Sequence, residues 1–123
     1  MITFDTGALI AIERRDRAML ALYEQLVRIR ARITIPTCVV GEWWRDQRGK
    51  LARVLDGAVV EPLTLQLAKL AGSVQAQVSG ATMVDSVVVA SAAQRGDLIL
   101  TSDVGDLTRI RDAMFPAVRI RKI

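Results

Sequence analysis

Short apolar stretches with the composition of β-strands recur along the chain, and a segment with helical spacing of apolar residues follows most of them. Strands are predicted at residues 2–5, 32–36, 58–61, 97–101 and 117–122. Helices are predicted from residue 8 to an interruption at 14–17, and then at 18–31, 39–48, 51–55, 63–78, 82–94 and 104–114. This alternation predicts an α/β fold with a mostly parallel sheet of about five strands, covered by helices on both faces.

The chain has 123 residues and no internal repeats or linker-like stretches, so we expect residues 1–123 to form a single domain. Apolar residues make up 51% of it and the mean hydropathy is +0.29, which is high for a short soluble chain. We therefore expect a partner protein or a second copy of the chain to cover apolar surface. No segment resembles a membrane helix or a signal peptide, which predicts a cytoplasmic protein.

The sequence contains no histidine and a single cysteine. The lack of histidine excludes Ser-His-Asp and Cys-His catalysis and the usual zinc sites. Cys38 lies in the apolar context TCVV, which is typical of a buried structural thiol. If the protein is an enzyme, its carboxylates are the remaining candidates for the chemistry, and carboxylates favour hard cations such as Mg²⁺ or Mn²⁺.

The formal net charge is +4 and the sequence pI is about 10.0. Fourteen of the seventeen basic residues are arginine, whose planar guanidinium group suits phosphate. This balance favours a nucleic acid partner. A charge of this size is equally typical of an ordinary soluble protein, and arginine abundance can reflect the base composition of a genome, so both interpretations stay open.

Aspartates follow two of the predicted strands. Asp5 follows the first strand, and Asp103 and Asp106 follow the fourth strand in the string LILTSDVGDL. Each could serve only to cap a helix or to complement its dipole, because aspartate is a preferred N-cap residue. In parallel α/β folds, however, ligands bind at the carboxyl ends of the strands, so these acids are also placed for a functional site.

Two further acids lie among apolar residues within predicted helices. Asp85 lies in MVDSVVVASAA, a segment that is apolar nearly all round and therefore predicted to be buried. The ordinary explanation is that Thr82 caps this helix and places Asp85 in its first turn. Glu42 lies in CVVGEWWR, where a salt bridge to Arg45 is the ordinary explanation.

A metal site would account for all of these acids together, because a divalent cation neutralises carboxylates that otherwise repel one another. The set is Asp5, Glu42, Asp85, Asp103 and Asp106. The remaining acids lie in turns or beside basic residues, which predicts ordinary surface groups. They are Glu13, Asp16, Glu24, Asp46, Asp56, Glu61, Asp97 and Asp112.

Several stretches of the sequence resemble the PIN-domain ribonucleases, and more narrowly the VapC-type toxins of bacterial toxin–antitoxin pairs. They are FDTGALIAIE at the start, a glutamate followed by WWR, the string VDSVVVASAAQRGDLILTSDVGDL and a closing short strand. The resemblance covers essentially the whole chain. It implies a PIN-like three-layer sandwich and a Mg²⁺- or Mn²⁺-dependent endoribonuclease that acts as a toxin.

By motif match, the resemblance implies four catalytic residues that also bind metal, namely Asp5, Glu42, Asp85 and Asp103. Asp106 matches a further metal-binding acid that some members of the family lack. Thr6, Thr101 and Ser102 match positions where hydroxyl groups support the site, and Gly7 stands where serine or asparagine is also frequent.

The resemblance also implies that a metal-activated water hydrolyses RNA and leaves a 5′-phosphate and a 3′-hydroxyl. It implies a cognate antitoxin that covers the cleft, and a homodimer. Five arginines follow site-bearing segments and could position phosphates, although solvated surface is an equally good interpretation. They are Arg14, Arg15, Arg17, Arg45 and Arg48.

Two other interpretations compete with a ribonuclease. A phosphorelay receiver domain also groups aspartates around Mg²⁺, but it needs an acidic pair after the first strand and a lysine after the last. The chain has one aspartate and no lysine at the matching places. The alternative function is a catalytically inactive PIN-like module that binds RNA or a partner protein. Such a module has no reason to keep acids in apolar surroundings, so the carboxylate set favours an enzyme.

Overall fold

The computed structural model of the protein describes residues 1–123. Five strands form one sheet: β1 (Ile2–Phe4), β2 (Ile33–Pro36), β3 (Val59–Glu61), β4 (Leu98–Thr101) and β5 (Arg119–Lys122). Seven helices surround the sheet: α1 (Thr6–Glu13), α2 (Arg17–Arg28), α3 (Thr37–Trp43), α4 (Arg53–Asp56), α5 (Leu65–Gln77), α6 (Met83–Arg95) and α7 (Val104–Met114). All five predicted strands and all seven predicted helices are present. No helix is long and apolar enough to cross a membrane.

The strand order in the sheet is β3-β2-β1-β4-β5, and every neighbouring pair of strands is parallel. The predicted α/β fold with a parallel sheet is therefore confirmed. α1 packs against α2 and α3, whereas α6 packs against α5 and α7. Right-handed crossover connections place these two groups of helices on opposite faces of the sheet, which gives three layers.

The hydrophobic core lies against the central strands β1, β2 and β4. Phe4, Ile35 and Leu100 are completely or almost completely buried there. α6 is also deeply buried, since residues 86–92 are all shielded from solvent, as its apolar sequence predicts. Each of the buried valines 87–89 contributes about 1.5–3 kcal/mol, which fixes the position of α6 against the sheet.

α6 begins and ends within one residue of the predicted bounds, 82 and 94. The hydroxyl of Thr82 accepts a hydrogen bond from the amide of Asp85 at 3.1 Å, which caps the helix. Gly96 follows the last turn with a φ of 72°, a left-handed conformation that glycine adopts without a steric penalty. These two ends fix Asp85 in the first turn of a buried helix.

α3 ends earlier than predicted. The helix expected at residues 39–48 covers only Thr37–Trp43, because Trp44 is extended and Asp46 has a left-handed φ of 59°. Gln47 stabilises the turn: its side-chain amide donates to the carbonyl of Trp43 at 2.9 Å and accepts from the amide of Arg45 at 2.6 Å. Such local side-chain hydrogen bonds compete with the helix, and apolar spacing does not reveal them.

Asp97 is buried, although the sequence predicts an ordinary surface acid. Only 1% of it is exposed. Its carboxylate accepts hydrogen bonds from Arg95 and Thr3, each at 2.9 Å, and from the amino group of Met1. Arg95 also donates to Glu61 at 2.6 Å. The prediction was wrong because Met1 and Thr3 come from the other end of the chain, so the neighbouring sequence shows only Arg95.

We expect Asp97→Asn to lower the free energy of unfolding by about 3 kcal/mol at neutral pH, because the partly buried Arg95 loses a counter-charge. Burial alone would raise the pKa of Asp97, but hydrogen bonds from the amino terminus, Arg95 and Thr3 outweigh it and hold the pKa below its ordinary value. The stabilisation is therefore present above about pH 4 and is lost as the pH falls further. Urea denaturation at pH 7 and pH 3 measures both effects. The exposed Asp56→Asn is the control, and equal losses in the two variants would contradict the role of the network.

Candidate functional site

The strand order places two of the predicted site acids side by side. β1 and β4 are adjacent and in register, with Phe4 opposite Leu100, so their carboxyl ends meet at one edge of the sheet. The chain builds β2 and β3 on one side of β1, and β4 and β5 on the other, so the order reverses between β1 and β4. Ligands bind at such reversal points in parallel α/β folds. Asp5 and Asp103 follow the two strands at this point.

Asp5 is held in a buried position at the end of β1. It is 7% exposed, its amide donates to the carbonyl of Leu100 at 3.0 Å, and its carboxylate accepts from the hydroxyl of Thr101 at 2.8 Å. Its side chain makes no capping hydrogen bond to α1, so the capping explanation is wrong for this residue. Burial raises the pKa of Asp5, and the negative charges of Glu42 and Asp103 add to the rise.

Asp103 occupies the N-cap position of α7 but does not cap the helix through its side chain. The prediction that its carboxylate accepts a backbone hydrogen bond is therefore wrong. Its backbone amide instead donates to the hydroxyl of Thr101 at 3.1 Å. The same hydroxyl donates to Asp5, so Thr101 links the two acids. The carboxylate of Asp103 is exposed and free to bind a ligand.

Glu42 faces the same site from α3. Its carboxylate accepts a hydrogen bond from the hydroxyl of Thr6 at 2.6 Å, which ties α3 to the first turn of α1. The salt bridge to Arg45 that the sequence offered as an alternative is absent, because α3 ends at Trp43 and Arg45 donates instead to the carbonyl of Trp44. Thr6 and Thr101 thus support the site with hydroxyl groups, as the resemblance implied.

Asp85 lies in the first turn of α6, as the capping explanation predicted. The ionised form of its carboxylate is nevertheless disfavoured. Burial, together with the charges of Asp5, Asp106 and Glu42, raises the pKa of Asp85 to about 6, against the hydrogen bond from Thr82. The acids of the site therefore act on one another, although they come from four separate elements.

Asp106 differs from the other acids of the site. It is exposed in the first turn of α7 and forms an ion pair at 3.4 Å with Arg109, one turn further along the helix. Arg109 also donates to the carbonyl of Ser79 at 2.8 Å. Sequence reasoning missed this arginine, although the spacing of three residues between acid and base is a recognised helical pairing signal.

No protein-family model and no curated protein matches the sequence, whereas several solved structures match its fold. VapBC2 from Rickettsia felis, bound to a DNA fragment from their promoter, gives a TM-score of 0.75 at 15% identity and covers 100% of this chain and 99% of that chain. DNA-bound VapBC from Salmonella typhimurium gives 0.72 at 17% identity, with 98% and 96% covered. A toxin–antitoxin complex from Klebsiella pneumoniae gives 0.68 at 15% identity, with 96% and 95% covered.

The protein has a PIN-like α/β fold. The three-layer sandwich that the sequence predicts is thereby confirmed over the whole chain. At 15–17% identity these similarities establish the fold alone, so the chemistry has to be argued from the residues of the site.

The chemistry of the acids suits a hard metal ion, but the distances between their side chains do not. The donors at this edge of the PIN-like fold are carboxylate and hydroxyl oxygens, which Mg²⁺ and Mn²⁺ prefer. No three acidic side chains lie close enough together to hold one ion. The five metal-binding roles stay predictions.

We expect Asp85→Asn to stabilise the metal-free protein at neutral pH. The pKa of Asp85 is raised from 3.8 to about 6, so the native state loses stability as the pH rises through this interval. Because Asp85 is only partly buried, the gain in the variant is on the order of 1 kcal/mol at pH 7.5, and it vanishes near pH 4. Thermal unfolding in EDTA at both values measures it. Asp112→Asn on α7 is the control, and a gain in Asp85→Asn that does not change with pH would contradict the prediction.

Proposed function

We propose that this protein is a Mg²⁺- or Mn²⁺-dependent endoribonuclease that acts as the toxin of a toxin–antitoxin pair. The observation that carries the proposal is the hydroxyl of Thr101, which donates to Asp5 and accepts from the amide of Asp103 where the strand order reverses. This bond fixes two acids of neighbouring strands in a fold that solved toxin–antitoxin complexes share. Structural capping alone gives no reason for such an arrangement.

Four acids would hold the metal, namely Asp5, Glu42, Asp85 and Asp103, with Asp106 as an accessory. Asp5 is the anchor, because it is buried and its carboxylate is oriented by Thr101. Thr6 orients the carboxylate of Glu42 in the same way. Burial is the main cause of the raised pKa values of Asp5 and Asp85, and the neighbouring acids add to the rise. A divalent cation would stabilise the ionised form of these carboxylates.

When bound, the ion lowers the pKa of a water molecule and neutralises the scissile phosphate, so that hydrolysis leaves a 5′-phosphate and a 3′-hydroxyl. The residues of the chain supply the orientation. Thr101 and Thr6 orient the carboxylates of Asp5 and Glu42, which would hold the ion, and Asp5 is buried.

The basic charge of the chain suits an RNA substrate. Five arginines near the site segments form no ion pair with an acidic side chain, and only Arg45 among them donates to another group, the carbonyl of Trp44. Their guanidinium groups could therefore contact phosphate oxygens. These arginines are Arg14, Arg15, Arg17, Arg45 and Arg48. The choice of RNA over DNA rests on the resemblance to PIN-domain ribonucleases.

We expect Asp5→Asn, Asp85→Asn and Asp103→Asn each to lower Mg²⁺-dependent RNA cleavage by about 100-fold or more, because even the groups that orient metal ligands account for 10–100-fold. Asp106→Asn lowers it less. A fluorogenic RNA assayed with Mg²⁺, with Mn²⁺ and with EDTA measures the loss, and circular dichroism checks that each variant is folded. Asp112→Asn keeps full activity. Wild-type protein that binds RNA but does not cut it with either metal would instead support the inactive binding module.

An antitoxin and a second copy of the chain are the partners we propose. Large apolar side chains stay exposed on the edge strand β3 and the segment that leads into α5, which is unusual for a surface without a partner. They are Val59, Val60, Leu63 and Leu65, and Leu65 is 72% exposed. The solved complexes with the same fold contain an antitoxin. The exposure of these side chains supports the proposal that a partner covers this surface in the cell.

We expect expression of the wild-type chain without an antitoxin to arrest the growth of a bacterial host, because uncontrolled RNA cleavage stops protein synthesis. Asp5→Asn, expressed to the same level, permits growth. Sequencing of RNA 5′ ends after induction identifies the cleaved transcripts through fragments that carry a 5′-phosphate. Growth arrest by Asp5→Asn as strong as by the wild type would exclude the nuclease site as the cause of toxicity.

A further inference from the structure

α1 and the turn after β4 approach each other unusually closely at Gly7 and Ser102. A Cβ atom on Gly7 would lie 2.6 Å from the backbone nitrogen of Ser102 and 2.9 Å from its Cβ, and nearer still to its hydroxyl oxygen. Real Cβ contacts essentially never reach these distances. A backbone nitrogen cannot rotate away, so any side chain at position 7 would push the whole turn outwards.

The close approach is the reason that position 7 needs glycine. The glycines with left-handed φ values in this protein are Gly49, Gly80 and Gly96, so the backbone of Gly7 is one that other residues also adopt. The requirement is therefore steric and comes from the other segment.

The contact lies between the two groups of site residues. Gly7 follows Asp5 and Thr6, and Thr6 holds Glu42. Ser102 stands between Thr101 and Asp103. A shift of the turn away from α1 would carry Asp103 away from Asp5 and would strain the hydrogen bonds of Thr101 with both acids.

We propose that Gly7 and Ser102 form a positioning pair that sets the separation of Asp5 from Asp103. Because position 7 has no side chain, the turn after β4 packs directly against the first turn of α1. The consequence of this pair for metal affinity rests on the proposed metal site, whereas its consequence for the geometry of the turn does not.

Gly7→Ala, Ser102→Gly and the double variant test the pair. Ser102→Gly removes the hydroxyl and Cβ that oppose a new side chain, and it leaves the backbone nitrogen in place. The matched control is Gly41→Ala. Gly41 also lies in a helix and next to a proposed ligand, Glu42, but its Cβ would meet nothing within 4 Å.

Amide hydrogen exchange is the first readout, because it does not depend on metal. We expect faster exchange at the amides of Asp5 and Asp103 in Gly7→Ala, and exchange close to wild type in Gly41→Ala. The second readout is Mn²⁺ affinity by electron paramagnetic resonance, which we expect to fall by about ten-fold or more in Gly7→Ala. Ser102→Gly in the same chain restores part of both losses, because it removes two of the three close contacts and leaves the backbone nitrogen in place.

Gly7→Ala that behaves like Gly41→Ala in both measurements would overturn the proposal, and so would a double variant without recovery. If Gly7→Ala alone does not fold, the double variant decides: the proposal requires it to regain folded structure in part, since two of the three close contacts are gone, and a double variant as unfolded as Gly7→Ala overturns it. If the wild type binds no Mn²⁺, the metal site is wrong, and the exchange rates still decide whether the pair positions the turn.

Discussion

The parallel pairing of β1 with β4 in the middle of the sheet is the constraint on which the site depends. It brings together two strand ends that are 96 residues apart along the chain, so that Asp5 accepts a hydrogen bond from the hydroxyl of Thr101. The pairing is held by the sheet hydrogen bonds and by core side chains such as Phe4 and Leu100. Because the chain order reverses between these strands, no crossover helix covers their carboxyl ends. An open, acid-lined edge is the result.

The buried aspartates at the two ends of this sheet have pKa values shifted in opposite directions. At the amino end of β4, Asp97 has donors from Arg95, Thr3 and the amino terminus, and its pKa is lowered. At the carboxyl end, Asp5 has Thr101 and acidic neighbours, and its pKa is raised. The first arrangement stabilises the fold. The second destabilises it in the absence of a cation, which is typical of sites where charge is kept for function.

Much of the fold follows from local sequence patterns. Apolar runs and helical spacing predicted each strand and helix, and Thr82 and Gly96 marked the ends of α6. The end of α3 was not predictable in this way, because the side chain of Gln47 takes over hydrogen bonds that the helix would otherwise make. The burial of Asp97 was not predictable either, since two of its partners, Met1 and Thr3, lie 96 and 94 residues away along the chain.

The sequence by itself determined the chemistry that is available. The absence of histidine excludes histidine-dependent catalysis, and the motifs singled out Asp5, Glu42, Asp85 and Asp103 as candidates. Only the tertiary structure decided what these acids do locally. The carboxylate of Asp103 makes no capping hydrogen bond, and Ser102 lies directly against Gly7. Glu42 accepts a hydrogen bond from the hydroxyl of Thr6 and forms no salt bridge with Arg45. These outcomes depend on distances between elements that meet through the sheet, and a one-dimensional pattern does not contain such distances.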